Sequence, residues 1–111
     1  MPTPPPNPAL TELAAVLGDE NVRALVRTYL REFPLSLEKL GGGDRPTRHR
    51  LAHSMKSNSR LVGALALSQR MAALELRLAD ENGPDISAAD LTAIAGEFAA
   101  VSGPLQAFVG A

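Results

Sequence analysis

Residues 19–40 read DENVRALVRTYLREFPLSLEKL, and apolar side chains recur through them at Val22, Leu25, Val26, Tyr29, Leu30, Phe33, Leu37 and Leu40. Intervals of three and four residues are the repeat of one face of an α-helix, and this is the strongest helical stripe in the chain. Asp19 stands at the cap position before it, and Gly41-Gly42-Gly43 closes it. Pro34 lies inside the stripe and removes the hydrogen bond to the carbonyl of Leu30. The stripe continues across it, so a kink is expected and not a break.

Upstream, Asn7 can cap a short helix with Pro8 in its first turn and Leu10, Leu13 and Leu17 as its apolar face, up to Gly18. Downstream, a third helix is expected to start near Asp44 to Thr47 and to loosen at Gly63 and the alanines after it. A fourth carries Leu67, Met71, Leu74 and Leu78 and ends at Asn82-Gly83-Pro84. A fifth opens on Ser87 and Asp90 in capping-box spacing and runs Leu91, Ile94, Phe98, Val101, Leu105 and Phe108, with Pro104 bending its last turns. Four long amphipathic helices with short connections predict an all-α fold, an antiparallel up-down four-helix bundle with the short N-terminal helix capping one end. Helices three and four form a hairpin in this reading. Residues 1–8 are expected to be a flexible proline-rich tail and residues 9–111 a single bundle domain. The large apolar residues of the stripes are assigned to the core, where burial contributes roughly 1.5–3 kcal/mol per side chain.

The 111 residues suffice for one small domain with a single core, and for one site. Tryptophan is absent, and one tyrosine and three phenylalanines leave too few aromatics for stacking on bases; with a formal net charge of −1 this argues against nucleic-acid binding. The chain has no cysteine, which rules out disulfides and thiolate chemistry and suits a reducing compartment. Met1 to Pro8 has neither the charged start nor the apolar run of a secretion signal, and no stretch reaches transmembrane length, so a cytoplasmic protein without a membrane role is expected.

Within the third helix, Arg50-Leu51-Ala52-His53-Ser54-Met55-Lys56-Ser57 carries the chemistry. At 100° per residue, Leu51, Met55, Val62 and Leu65 fall on one side and His53 falls nearly opposite, facing water. Lys56 and Ser57 are its neighbours on the next turn, and Arg60 and Ala64 continue the exposed strip. His49 lies four residues before His53, a spacing that zinc sites use, but neither a third ligand nor a second shell accompanies the pair, and no metal site is assigned. With Arg48, Arg50, Lys56 and Arg60, His49 makes the surroundings of His53 basic; a solvated helix face is the competing reading.

These residues resemble the histidine-containing phosphotransfer family: Ala52-His53-x-x-Lys56, small polar residues at 57 to 59, Gly63-Ala64, a run of leucines, then Leu74-Glu75. The likeness extends from Tyr29 to Leu78. It implies that His53 accepts a phosphoryl group from a receiver-domain aspartate, or from a kinase, and passes it to another receiver's aspartate. An unperturbed imidazole, with a pKa of about 6.5, is a competent nucleophile near neutral pH. By the same resemblance, receiver domains and a sensor or hybrid histidine kinase are the partners, and the receiver brings the magnesium ion, so no cofactor is expected here. Lys56 would assist by charge. Ser57 stands where most members have glycine, which bears on transfer rates. Glu75 aligns with a position from which some members orient the imidazole through Nδ1; it could equally be an exposed glutamate paired with Arg70 or Arg77, and both readings stay open. No glycine-rich phosphate loop is present, so the chain is a stoichiometric phosphotransfer intermediate and not an autonomous kinase. His49, Arg50, Arg60 and Ala64 are assigned to partner contact, since a basic strip would steer toward an acidic receiver pocket. The alternative is a phosphate-independent helical adaptor that docks receiver or kinase domains; a dimeric pseudo-kinase scaffold is a third reading, and a monomer is expected because every strong stripe is used within one bundle.

Overall fold

The computed structural model describes residues 3–110, which form five helices and no strand. Helix α1 spans Pro8–Leu17; the Asn7 carboxamide accepts the backbone N–H of Leu10, with Pro8 in the first turn. Gly18, at φ +86°, reverses the chain in one residue, so α2 (Asp19–Gly42) begins at Asp19 with Gly18 as its cap. Asp19 and Glu20 then sit in the first turn, where carboxylates complement the exposed N–H groups. The helix continues through Pro34, as the unbroken stripe predicted, and takes in Gly41 and Gly42 before Gly43 ends it.

Asp44 caps α3 (Arg45–Leu61) by accepting from Thr47 N–H. Helix α4 (Leu65–Ala79) follows after Val62, Gly63 and Ala64 and ends at its cap Asp80, short of the Asn82-Gly83-Pro84 stop expected from the sequence. There the guanidinium of Arg45 donates to the carbonyls of Arg77, Leu78, Asp80 and Gly83, satisfying the end of α4 from the start of α3. Helix α5 (Ala88–Val109) has the reciprocal Ser87/Asp90 capping box and runs on through Pro104.

Neighbouring helices meet start to end. Arg45 of α3 reaches the last residues of α4, while Ser68 near the start of α4 donates to the carbonyl of Lys56 late in α3. Arg77 of α4 pairs with Asp90 and Arg70 with Glu97. At the far end, Arg23 of α2 donates to the carbonyl of Phe108 and lies over its ring, 5.0 Å from the centroid. The core between them holds Val22, Val26, Tyr29 and Phe33 from α2, Ala52 and Met55 from α3, Leu67, Met71, Leu74 and Leu78 from α4, and Ile94, Leu105 and Phe108 from α5. Phe33 stacks on Phe98 with centroids 4.5 Å apart. Leu10 of α1 is fully buried against this core.

Three expectations are corrected. Leu65 is exposed, because the chain turns at Gly63 (φ +81°) and Leu65 opens α4 in place of extending the α3 stripe. The buried face of α3 is Ala52, Met55 and Ser59, with Leu51 at its margin. Ala64, placed by helical extrapolation on the exposed strip, is buried in the α3–α4 corner for the same reason.

Candidate functional site

The α3 face opposite Ala52, Met55 and Ser59 carries His53, whose side chain is 60% exposed. It is held from α4. Glu75, 22 residues away in sequence, places Oε2 at 2.6 Å from His53 Nδ1 and Oε1 at 2.5 Å from Lys56 Nζ. The Glu75 side chain is 16% exposed and that of Lys56 30%, so both arms of the bridge lie partly out of water. Arg70 and Arg77 are engaged by Glu97 and Asp90 of α5, and Glu75, the single carboxylate of α4, is turned toward α3.

The Lys56 ammonium is the main reason that the Glu75 carboxyl lies below the usual range; partial burial opposes the shift and the His53 contact adds to it. An ionised carboxylate only accepts hydrogen bonds, so Nδ1 of His53 is the donor in this pair. A neutral ring with its proton on Nδ1 has its lone pair on Nε2, the nitrogen on the side away from Glu75. The arrangement fixes the ring in orientation and leaves Nε2 free on an exposed helix face.

Around it, Arg50 is exposed and donates to the Thr47 hydroxyl at 3.3 Å, and Arg60 is exposed one turn beyond Lys56. His49 is half-buried in a shallow groove with Arg45, Pro46, Arg50, Leu78 and Ala79. Arg48 does not join them: it bonds Asp85 at 2.9 Å and the carbonyls of Leu40 and Gly41, on another side of α3. Ser57 is exposed and lines a groove against α1 with Arg60, Leu61, Leu13 and Val16. On the other flank, an apolar groove of about 460 Å³ between α2 and α3 has Leu25, Phe33, Met55 and Val62 in its walls and Asn58 and Glu32 at its edge. Among the described residues no group of three or more His, Cys, Asp or Glu side chains could hold a metal ion, and no helix is long and apolar enough to cross a membrane.

Two contacts that support the site have no counterpart in the sequence reading. Ser59 is fully buried behind the His53 strip and shares a 2.8 Å hydrogen bond with the Tyr29 hydroxyl. The Asn7 side chain donates to the carbonyl of Val62 at 2.9 Å, which ties α1 to the turn after α3. Ser59 is marked only by its polarity on an otherwise apolar face, and Asn7 only by its role as a helix cap, which does not point to Val62.

The family model for the Hpt domain matches residues 24–103. No curated protein and no solved structure gives a match.

Proposed function

The chain belongs to the Hpt domain family, whose activity is histidine phosphotransfer in phosphorelays, and from that premise we propose that His53 is its phosphoacceptor. Nε2 takes the phosphoryl group from a receiver-domain aspartate, or from a histidine kinase, and a second receiver's aspartate removes it. The observation that carries this reading is the His53–Glu75 contact on an exposed helix face: it commits Nδ1 and leaves Nε2 as the nucleophile, within reach of an incoming protein.

Glu75 orients the ring, and the surrounding cations Lys56, Arg50 and Arg60, with His49 at the edge, offset the charge of the phosphoryl oxygens and draw in the acidic pocket of a receiver. Ser57 sits one turn from His53 and narrows the approach relative to glycine. Ala64 is withdrawn from the contact surface because it is buried. Magnesium belongs to the receiver, and the chain contributes position and field with no cofactor of its own. In this proposal residues 9–111 act as one monomeric cytoplasmic domain, an antiparallel up-down bundle of α2 to α5 with α1 across one end, and the start-to-end meeting of neighbouring helices supports it.

The test is to incubate the chain with a phosphorylated receiver and follow label that is labile to acid and stable to base. Label appears on wild type and is absent from His53→Gln. Equal labelling of both removes the proposal, and receiver binding without transfer, unaffected by His53→Ala, establishes a phosphate-independent adaptor instead.

A further inference from the structure

Two guanidinium groups hold the turn between α4 and α5. Arg45, from the start of α3, donates to the carbonyl of Asp80 at 2.6 Å and to that of Gly83 at 3.0 Å. Arg77 donates to the carbonyl of Pro84 at 3.1 Å. Inside this grip the N–H of Gly83 donates to the carbonyl of Asp80 at 2.8 Å, and the N–H of Asn82 to the Asp80 carboxylate at 3.0 Å. One carbonyl, that of Asp80, thus accepts from Gly83 and from Arg45 at once. Glycine is required at 83, since a Cβ there would stand 2.7 Å from the carbonyl oxygen of Arg77.

The requirement carries a chemical liability. When glycine follows asparagine, no side chain shields the next backbone nitrogen, and that nitrogen can reach the carboxamide carbon. The chain has four asparagines, at positions 7, 21, 58 and 82. Asn7 precedes a proline, which has no N–H to lose, and its carboxamide is bonded through both its oxygen and its nitrogen. Asn21 and Asn58 lie within α2 and α3 and precede the buried residues Val22 and Ser59, whose nitrogens belong to the helical ladder. Asn82 alone is exposed, outside a helix and followed by glycine.

We infer that Asn82 is a site of spontaneous deamidation and isoaspartate formation, and that Arg45 sets its rate by holding the turn whose nitrogen would attack. The Gly83 nitrogen gives its proton to solvent and bonds to Cγ of Asn82, closing a five-membered succinimide. The Cγ–Nδ2 bond breaks, and Nδ2 leaves with the bonding pair and takes up a proton as ammonia. Water then adds to one of the two ring carbonyls, and the bond from that carbon to the Gly83 nitrogen breaks. Opening at Cγ leaves aspartate. Opening at the backbone carbon leaves isoaspartate, in which the main chain runs through the former side chain. The balance is asparagine plus water to a carboxyl group plus ammonia.

In the closed turn the Gly83 N–H is directed at the Asp80 carbonyl, which withholds both the proton and the rotation that would bring the nitrogen over Cγ. Release of Arg45 frees both. The product does not fit back. Isoaspartate inserts one more carbon into the backbone before Gly83, so the carbonyls of Asp80 and Gly83 no longer converge on one guanidinium. Either product also adds an anion to a turn that already carries the exposed carboxylates of Asp80, Glu81 and Asp85. An opening of the α3–α4 clamp is thereby written permanently into the chain, and it loosens the start of α3 about two turns before His53.

The experiment ages wild type, Asn82→Ser and Arg45→Met at neutral pH, with wild type unfolded in guanidinium chloride as the unprotected reference. Mass spectrometry of proteolytic fragments follows deamidation, and enzymatic methyl labelling follows isoaspartate. Folded wild type should be modified at Asn82 and at no other asparagine, at least about tenfold more slowly than the unfolded chain, because charge-assisted hydrogen bonds must break first. Arg45→Met should lose most of that protection, and Asn82→Ser should take up no label. Equal rates in folded and unfolded wild type, or in wild type and Arg45→Met, overturn the role of Arg45; modification of Asn21 or Asn58 in the folded protein with Asn82 intact overturns the site. If Arg45→Met does not fold, exchange of the Gly83 amide hydrogen in wild type decides instead. The open fraction read from exchange, multiplied by the unfolded-chain rate, should equal the folded rate, and a folded rate far above that product sinks the gating. Aged wild type should also unfold at lower denaturant than fresh protein while aged Asn82→Ser does not, and an equal drop in both contradicts the loosening of the clamp.

Discussion

The hydroxyl of Tyr29 on α2 and that of Ser59 on α3 share a 2.8 Å hydrogen bond inside the core, directly behind the helix face that carries His53. Burial pushes the Tyr29 phenol up to about 12, the Ser59 bond pulling slightly the other way. The folded state thus prefers the neutral phenol more than the unfolded chain does, so this contribution is intact below about pH 10 and is lost as pH rises toward about 12. Tyr29 is the only tyrosine, so absorbance titration reads it alone: phenolate should appear only with unfolding or near pH 12. Tyr29→Phe leaves the Ser59 hydroxyl buried without its partner and should cost about 1–2 kcal/mol in urea unfolding, while removing the alkaline sensitivity.

Asn7 performs two tasks with one side chain, capping α1 through Leu10 N–H and donating to the carbonyl of Val62. Asn7→Ala should lower stability by about 1–2 kcal/mol and increase amide exchange in α1 more than in α4. Gly63→Ala should be at least as damaging, because the residue sits at φ +81° and a Cβ there would collide with the Asn7 carboxamide. Denaturant midpoints of the two variants and of the double variant check this; the coupling should be non-additive, since both changes release the same contact.

Acid should unfold the protein through its paired carboxylates. The Arg77 guanidinium holds Asp90 below the ordinary carboxylate range, with the Ser87 cap adding to it, and Lys56 does the same for Glu75. A depressed folded-state pKa gives stability that is complete above the unfolded value of about 4 and disappears as pH falls through the folded one. The melting temperature should be level from pH 7 to about 5 and drop steeply below about 4. Asp90→Asn, which also weakens the cap of α5, should lower the neutral plateau and make the acid drop shallower.

Much of this architecture was legible because its signals are local. The α2 stripe and the Ser87/Asp90 box specify helices from residues three and four apart, and both appear as read. The α3–α4 corner was not, because it depends on a positive φ at Gly63 and on Asn7, which arrives from 55 residues away. That one turn moves Leu65 to the surface and Ala64 into the interior. At the site, His53 on the exposed face follows from periodicity. The sequence leaves the partner of Glu75 open, although Arg70 and Arg77 stand five before and two after it, spacings that do not face each other on a helix. Which side chains meet across helices, as His53 and Glu75 or Tyr29 and Ser59 do, is fixed by packing register, and no single helix encodes it.

The most direct measurement of the central claim is ³¹P–¹⁵N correlation spectroscopy on the chain phosphorylated by a receiver, with histidine ¹⁵N-labelled. Because Glu75 occupies Nδ1, the phosphorus should couple to Nε2 of His53 alone, and Nδ1 should still carry its proton. Phosphorus coupled to Nδ1, or to His49, or to no histidine nitrogen, would contradict the account.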